Sequence, residues 1–284
     1  MMISPKELAP KVAALYAKGF TRGYTTGWRS MDEYFTVKPG ELTVMTGMPS
    51  HGKSEWLDNL IVNLAMVHNF RIAIFSPENH PLELHMAKIM EKYQQKHFFE
   101  TTGYFNRDRM SEDDMLDCID EMTKSFSFVK PDDNAFTPID IINEALPWLG
   151  QSLQRPKALV IDPWNEMDHY RPNGLSETEY ISRTLTELRR AAREYNTHLF
   201  LVCHPMKMQK DKDGNYPVPK PYDISGSAHW FNKADNCITV WRDVVNNPTL
   251  VEIHFHKVRF KWTGKVGMVS LRYDVAKNSY MEII

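Results

Sequence analysis

The central part of the chain, from Glu41 onward, alternates short apolar runs with longer segments of helical periodicity. The apolar runs lie at residues 42–46, 72–75, 126–129, 158–161, 199–203 and 237–241. Most of the earlier runs lack polar alternation, which is typical of parallel strands covered on both faces by helices. The pattern therefore predicts an α/β domain with a mostly parallel sheet.

The pattern changes after residue 241. Residues 251–256 alternate apolar and polar side chains, and two further strand-like segments follow at 267–273 and 280–284. Alternation with short turns is typical of antiparallel strands. We therefore expect C-terminal antiparallel strands to complete the sheet.

A separate amphipathic helix is predicted near the start of the sequence, over residues 4–18. Ser4 is a suitable N-cap, and Pro5 suits the first helical position. Apolar residues recur at helical spacing at Leu8, Val12, Leu15 and Tyr16. A polar, glycine-containing linker follows at 18–27. We predict an N-terminal linker helix (residues 1–20), whose apolar face is a candidate contact with another subunit, and one main domain (residues 21–284).

Composition and charge are typical of a globular protein without a general affinity for polyanions. Hydrophobic residues make up 42% of the chain, and 34 Lys and Arg stand against 36 Asp and Glu, a formal net charge of -2. Such a chain can bury enough apolar surface to fold. A global basic field is absent, so any contact with nucleic acid has to be local.

Cysteine usage and the first residues favour a cytoplasmic protein. Cys118, Cys203 and Cys237 are far apart and form no C-x-x-C pair, which argues against a zinc ribbon and against a disulfide framework. The sequence starts without the apolar core of a signal peptide, and no apolar run reaches the roughly 18 residues of a membrane span. We expect no membrane partner.

Residues 47–54 match the phosphate-binding pattern G-x-x-x-x-G-K-[ST], between a predicted strand and a predicted helix. In such a loop, backbone N–H groups wrap a phosphate at the helix N-terminus, the lysine contacts the β- and γ-phosphates, and the hydroxyl binds Mg²⁺. The candidate nucleotide-binding residues are Gly47, Pro49, Ser50, His51, Gly52, Lys53 and Ser54. The alternative, a glycine-rich turn without a ligand, fits this order of strand, loop and helix less well.

Three polar residues follow or end predicted strands, at the edge where open α/β sheets bind ligands. Asp162 ends an apolar strand and is a candidate for holding the metal ion. Glu78 can orient or deprotonate water, and His204 can donate a hydrogen bond to a terminal phosphate. Each residue has a structural alternative: a cap of the next segment for Asp162, a solvated loop acid for Glu78, and a structural histidine for His204.

Together these motifs resemble the RecA-like ATPase domain of DnaB/Twinkle-type hexameric replicative helicases over residues 20–284, with the helicase half of Twinkle-like primase-helicases as the nearest likeness. Besides the phosphate loop and Asp162, the residues that carry the resemblance are Thr26-Gly27-Trp28, Pro39-Gly40-Glu41-Leu42, Ser76-Pro77-Glu78-Asn79, His204-Pro205, Ile224-Ser225-Gly226-Ser227-Ala228 and Lys257-Val258-Arg259. Many NTPases share the phosphate loop, whereas the ordered set ending in Lys-x-Arg is much more specific.

The resemblance implies a role for each matching residue. Glu78 matches the catalytic glutamate, Asp162 the Mg²⁺-associated aspartate, and His204 the residue that reports on the γ-phosphate. Lys257 and Arg259 match a Lys-x-Arg pair that reaches into the neighbouring subunit's nucleotide, where a cation stabilises the transferring phosphoryl group. The alternative for Arg259 is an exposed charge on a strand. The implied cofactors are ATP and Mg²⁺.

The resemblance also implies ATP-dependent unwinding of DNA, in the 5′-to-3′ direction, by a hexameric ring around single-stranded DNA, with a primase as a further partner. DNA-facing loops are expected at 206–222 and 224–230, and the candidate contacts are Lys207, Lys210, Lys212 and Lys220. For each lysine the alternative is a solvated loop charge. Two other functions stay open: a RecA- or KaiC-like ATPase that remodels DNA or protein without unwinding, and an interaction protein that uses nucleotide as a switch.

Overall fold

A mixed β-sheet forms the centre of the molecule. The computed structural model describes residues 2–100, 108–130, 136–212 and 216–283. The strands in these residues are β1 (Leu42–Thr46), β2 (Arg71–Phe75), β3 (Phe126–Phe128), β4 (Lys157–Ile161), β5 (Thr197–Val202), β6 (Asn236–Arg242), β7 (Leu250–Val258), β8 (Gly267–Asp274) and β9 (Ser279–Glu282). Their order across the sheet is β3-β2-β4-β5-β1-β6-β7-β8-β9. Neighbours from β3 to β6 pair in parallel, and β7 to β9 continue the sheet with antiparallel pairing.

Helices cover both faces of this sheet. They are α1 (Pro5–Lys18), α2 (Arg29–Asp32), α3 (Lys53–His68), α4 (Leu82–Gln94), α5 (Glu112–Ser125), α6 (Pro138–Gly150), α7 (Glu177–Glu194) and α8 (His229–Lys233). Successive residues of β1 point to opposite faces: Met45 joins a buried cluster with Trp56 of α3, and Val44 joins a second cluster with Leu146 of α6 and Leu188 of α7. Each such side chain contributes roughly 1.5–3 kcal/mol through burial.

The predicted fold class is confirmed. The apolar runs of the first half coincide with the parallel strands, and the alternating segments after residue 241 form the antiparallel ones. Strand ends differ from the predicted bounds by one or two residues: β3 ends at Phe128, β5 begins at Thr197 and ends at Val202, and β9 ends at Glu282. Ile284, predicted as the end of the last strand, lies outside the described residues.

The N-terminal helix is present and leaves its apolar face uncovered. Ser4 and Glu7 form a reciprocal capping box, in which the Ser4 hydroxyl accepts from the Glu7 N–H and the Glu7 carboxylate accepts from the Ser4 N–H. No residue of α1 is buried. Just beyond the helix, the ring of Phe20 stacks on Trp262 with 4.1 Å between ring centroids. The division into residues 1–20 and 21–284 stays a prediction.

In the part of the chain that the structure describes, every helix is too short or too polar to traverse a lipid bilayer.

Candidate functional site

The phosphate loop occupies the turn between β1 and α3, and two of its glycines have no room for a side chain. Gly47 has a φ of 155°, and a Cβ there would lie 2.3 Å from the Val240 carbonyl oxygen. Gly52 has a φ of 90°, and a Cβ would lie 2.9 Å from the Tyr280 hydroxyl. Both conformations favour glycine. The loop therefore runs close to its neighbours and leads into the N-terminus of α3, where free N–H groups favour an anion.

Lys53 and His51 of this loop have different surroundings. The Lys53 ammonium is buried and donates to the Met48 carbonyl at 3.1 Å. Burial lowers the pKa of Lys53, against the opposing effect of Asp162 and Glu78. The His51 Nδ1 accepts a hydrogen bond from the Arg242 N–H at 3.1 Å. Burial, with Arg242 nearby, lowers the pKa of His51 to about 4, so a neutral imidazole ties the loop to the end of β6.

Asp162 follows β4 directly and is buried next to the loop. The Ser54 side chain lies near its carboxylate and acts to lower its pKa. Burial raises the pKa of Asp162 to about 6, because the carboxylate has lost solvent and has Asp58 and Glu78 near it. A divalent cation would offset this cost. One hydroxyl and one carboxylate, beside space for phosphate oxygens, fit Mg²⁺, which takes few protein ligands in nucleotide sites.

Glu78 and His204 meet at the same edge of the sheet. Glu78 lies three residues beyond β2 and His204 two residues beyond β5, and the His204 Nε2 is 3.5 Å from the nearer Glu78 carboxylate oxygen. Burial and the Lys53 charge lower the pKa of His204, while Glu78 opposes them. The His204 N–H donates to the Asn165 side chain at 2.9 Å, which fixes the start of the following loop to the segment after Asp162.

Lys53, Glu78 and His204 border one open cavity of about 600 Å³, whereas Gly47, His51 and Asp162 are not part of its lining. Its lining consists of Pro49, Ser50, Gly52, Lys53, Ser54, Glu55, Glu78, Asn79, Lys88, His204, Arg242, Tyr273 and Tyr280. Sequence reasoning missed Lys88, Arg242, Tyr273 and Tyr280. Lys88 donates to the Asn79 side chain at 3.0 Å, beside Glu78. No motif could have found the two tyrosines, because only the return of β8 and β9 brings them to the loop.

Lys257 and Arg259 lie toward the opposite ends of the strands from this cavity, at the level where the parallel strands begin. Val258 pairs with Asn236 at the start of β6, whereas Thr46 at the end of β1 pairs with Thr239. At about 3.3 Å per residue, this puts the end of β7 roughly 10 Å from the level at which the phosphate loop begins. Neither cation faces the phosphate loop of its own chain.

Both cations are held by backbone carbonyls near the end of α8. The Lys257 ammonium donates to the carbonyls of Phe231 and Asn232, and burial lowers its pKa, with Arg259 adding to the effect. The Arg259 Nη2 donates to Asn232 and Ala234 at 3.2 and 3.0 Å. Its Nε lies 2.8 Å from the buried carboxylate of Asp235. Asp235 is a further residue that the motif analysis missed.

None of the candidate DNA-contacting lysines lines the nucleotide cavity. Lys207, Lys210, Lys212 and Lys220 are exposed on the segment that follows β5. The base of this segment is closed by a bridge between Pro205 and Ile224, and the Trp241 indole donates to the Tyr216 carbonyl at 3.0 Å. Residues 213–215, within the predicted DNA-facing range 206–222, lie outside the described residues.

Fold and site define the class of protein. The phosphate loop follows the central strand β1, an acidic residue ends β4, and antiparallel strands extend the sheet beyond β6, which together describe a RecA-like P-loop nucleoside triphosphatase. Residues 23–282 match the model of the DnaB-like helicase C terminal domain. The chain belongs to this family, and the resemblance seen in the sequence is confirmed.

The chain spans about half the length of the curated relatives it matches. The Twinkle homolog protein, chloroplastic/mitochondrial, of Arabidopsis thaliana is 37% identical over 295 aligned residues, which cover 99% of this chain and 40% of that protein. The replicative DNA helicase DnaB of Buchnera aphidicola subsp. Schizaphis graminum is 24% identical, over 89% of this chain and 54% of that protein.

Two solved structures share the fold. The ATPase domain of G40P superposes with a TM-score of 0.78 at 18% identity, covering all of both chains. A DnaB-like replicative helicase, described with its interactions with primase, superposes with a TM-score of 0.77 at 17% identity, over 99% of this chain and 69% of that one. At these identities the superpositions bear on the fold alone.

Proposed function

We propose that the chain is the motor domain of an ATP-dependent DNA helicase that works as a homo-oligomeric ring. The observation that carries the proposal is the split arrangement of the site. Glu78, His204 and the phosphate loop lie at one edge of the sheet, and Lys257 and Arg259 lie at the other. Such a protomer completes its site only when a neighbour supplies the two cations.

The residues of the cavity divide the work of hydrolysis. The loop N–H groups and Lys53 bind the phosphates, and Ser54 with Asp162 would hold Mg²⁺, whose charge offsets that of the phosphates. Glu78 orients or deprotonates the attacking water. His204, 3.5 Å from Glu78, is the group that responds to loss of the γ-phosphate. Arg259 from the neighbour stabilises charge in the transition state.

Single-stranded DNA is the proposed substrate of the loops that follow β5. Their exposed lysines form a local basic patch on a chain whose formal net charge is -2. A ring with such loops turned inward contacts phosphates without reading bases. A hexamer, the 5′-to-3′ direction and a primase partner follow from the family resemblance. The cytoplasmic location inferred from the cysteines stays a prediction.

Unwinding of a forked duplex tests this function. The assembled protein with ATP and Mg²⁺ should displace a labelled strand from a fork with a free 5′ tail, and Lys53→Ala should displace none. A fork with only a 3′ tail is the control for direction. Family membership does not favour the RecA- or KaiC-like alternative. DNA-stimulated hydrolysis without displacement on either fork would nevertheless support it against the helicase.

The uncovered face of α1 is proposed to pack on a second copy of the chain. Leu8, Val12 and Leu15 share one face of the helix and are 40%, 59% and 43% exposed. Removal of residues 1–20 should leave a folded, nucleotide-binding protomer that oligomerises poorly, because α1 buries no residue in its own chain. Sedimentation with nucleotide and Mg²⁺, across a range of concentrations, measures the effect.

Substitution within the helix separates its apolar face from its charge. Leu8, Val12 and Leu15 changed together to glutamine should weaken assembly as the deletion does, whereas Lys6→Ala, on the opposite side of the helix, should not. A truncated protein that forms the same oligomer at the same concentration would show that α1 is not an inter-subunit contact.

A further inference from the structure

The short helix α8 lies between the segment proposed to face DNA and the two cations proposed to act in trans. Residues 224–228 lead into it, and carbonyls of Phe231, Asn232 and Ala234 at its end accept hydrogen bonds from Lys257 and Arg259. Any displacement of this helix end therefore moves the groups that hold both cations.

The ring of Phe231 contacts the DNA-facing segment on one side and a cation on the other. Tyr222, at the end of that segment, stacks on Phe231 with 4.9 Å between ring centroids and 28° between ring planes. The Lys257 ammonium lies 4.9 Å from the centroid of the same ring. An aromatic pair and a cation over a ring are each attractive. Tyr222, Phe231 and Lys257 thus form one continuous contact.

Arg259 is also held from the core, by the buried carboxylate of Asp235. Asp235 is fully buried, and its carboxylate lies 2.8 Å both from the Arg259 Nε and from an Arg189 guanidinium nitrogen. The Leu42 N–H also donates to this carboxylate, at 3.1 Å. Among the described residues, nothing hydrogen-bonds to the Arg259 Nη1, which is therefore available to a phosphate of the neighbouring subunit. The Arg259 guanidinium is therefore held at Nε by the buried Asp235 carboxylate and at Nη2 by the carbonyls of Asn232 and Ala234. A shift of these carbonyls changes the direction of Nη1.

We propose that Tyr222 and Phe231 are positioning residues, which set the placement of Lys257 and Arg259 according to whether single-stranded DNA is bound at the lysines of residues 206–212 and 216–222. The proposal rests on the proposed function and adds the route by which DNA raises hydrolysis at the next subunit. A DNA strand that binds Lys220 displaces the Tyr222 ring two residues further on. The ring then moves Phe231, and the α8 carbonyls move with it. The cations then shift relative to the neighbour's γ-phosphate.

Removing the ring of Tyr222 tests the route. Tyr222 is 54% exposed, so Tyr222→Ala should leave the fold intact. Loss of one aromatic contact should lower kcat at saturating single-stranded DNA by about 2- to 12-fold, while the DNA concentration at half-maximal stimulation shifts by less than about 2-fold. Tyr222→Phe keeps the stack and should restore the wild-type kcat. Phe231→Leu, which keeps apolar volume without a ring, should behave as Tyr222→Ala does.

A double variant separates the proposed route from a general disturbance of the segment that carries Tyr222. In Phe231→Leu protein, adding Tyr222→Ala should lower the DNA-stimulated rate by less than about 2-fold more, because the Tyr222 ring acts through the Phe231 ring and contacts along one route are not additive. If the rate losses of the two substitutions multiply, the proposed route through Tyr222 and Phe231 is wrong. A Tyr222→Phe variant as defective as Tyr222→Ala, or a change confined to DNA affinity, would overturn it too. A wild-type protein that DNA does not stimulate would overturn the proposed function as well, whereas normal wild-type stimulation with unaffected variants overturns the route alone.

Discussion

Arg259→Ala should lower DNA-stimulated ATP hydrolysis by ~10³-fold or more, the size seen for arginine fingers in phosphoryl transfer. Nucleotide binding should stay almost normal, because Arg259 lies at the opposite edge of the sheet from the cavity of its own chain. Fluorescent-nucleotide titration and steady-state hydrolysis measure the two quantities separately. Arg193→Ala is the matched control: Arg193 also faces Asp235, at 3.8 Å, but from the exposed side of α7.

Mixing two inactive variants tests whether Arg259 acts in trans. Lys53→Ala subunits lack the phosphate-binding ammonium and keep Arg259, while Arg259→Ala subunits have the reverse defect. At a mixed interface, an intact Lys53 site receives an intact Arg259, so some hydrolysis should return. Mixed oligomers without recovery at any ratio mean either that the trans role is wrong or that the ring tolerates no dead site. Titrating wild-type subunits with Lys53→Ala subunits decides between these two outcomes.

Glu78→Gln should lower turnover by ~10²-fold or more while nucleotide binding is preserved, because the carboxylate acts in the transition state. Glutamine keeps the size of the side chain but cannot take a proton. Glu83→Gln, an exposed acid at the start of α4, is the control and should hydrolyse ATP at the wild-type rate. Unchanged steady-state hydrolysis in Glu78→Gln would remove Glu78 from the catalytic role.

The sequence predicted the sheet and the cavity-forming strand ends for a simple physical reason. Strands covered on both faces must be apolar throughout, so polar residues such as Asp162 and His204 mark where each strand ends. Parallel pairing then brings these ends to one edge. In the sheet order β2-β4-β5-β1 only β4 separates β2 from β5, and the long side chains of Glu78 and His204, which follow these two strands, approach to 3.5 Å.

What the sequence could not predict depends on contacts between distant segments. Tyr280 reaches the phosphate loop only because β9 follows β8 back along the sheet, an arrangement that no local pattern encodes. Asp235 precedes β6 and by its position resembles a simple loop acid, yet it is buried against three arginines. His51 fits the loop motif, but its ring lies 6.2 Å from that of Trp241 and accepts a hydrogen bond from the Arg242 N–H, and His51 is not among the residues that line the cavity.

The location of Lys257 and Arg259 gives the protomer two different sides: a head, with the nucleotide cavity, and a tail, with these two cations. In the assembly proposed above, the nucleotide cavity of one copy meets Arg259 of the next, so the joining surfaces of two copies are different and the contact is heterologous. Phe20, two residues after the end of α1, stacks on Trp262, which lies three residues beyond Arg259. The N-terminal helix is therefore attached on the side of the protomer that carries Arg259. Copies joined head to tail all have the same orientation relative to their neighbours. For the proposed assembly, closure into a ring or extension into an open spiral depends on the rotation between neighbours, and a rotation that leaves the ring open would give a DNA strand a way in.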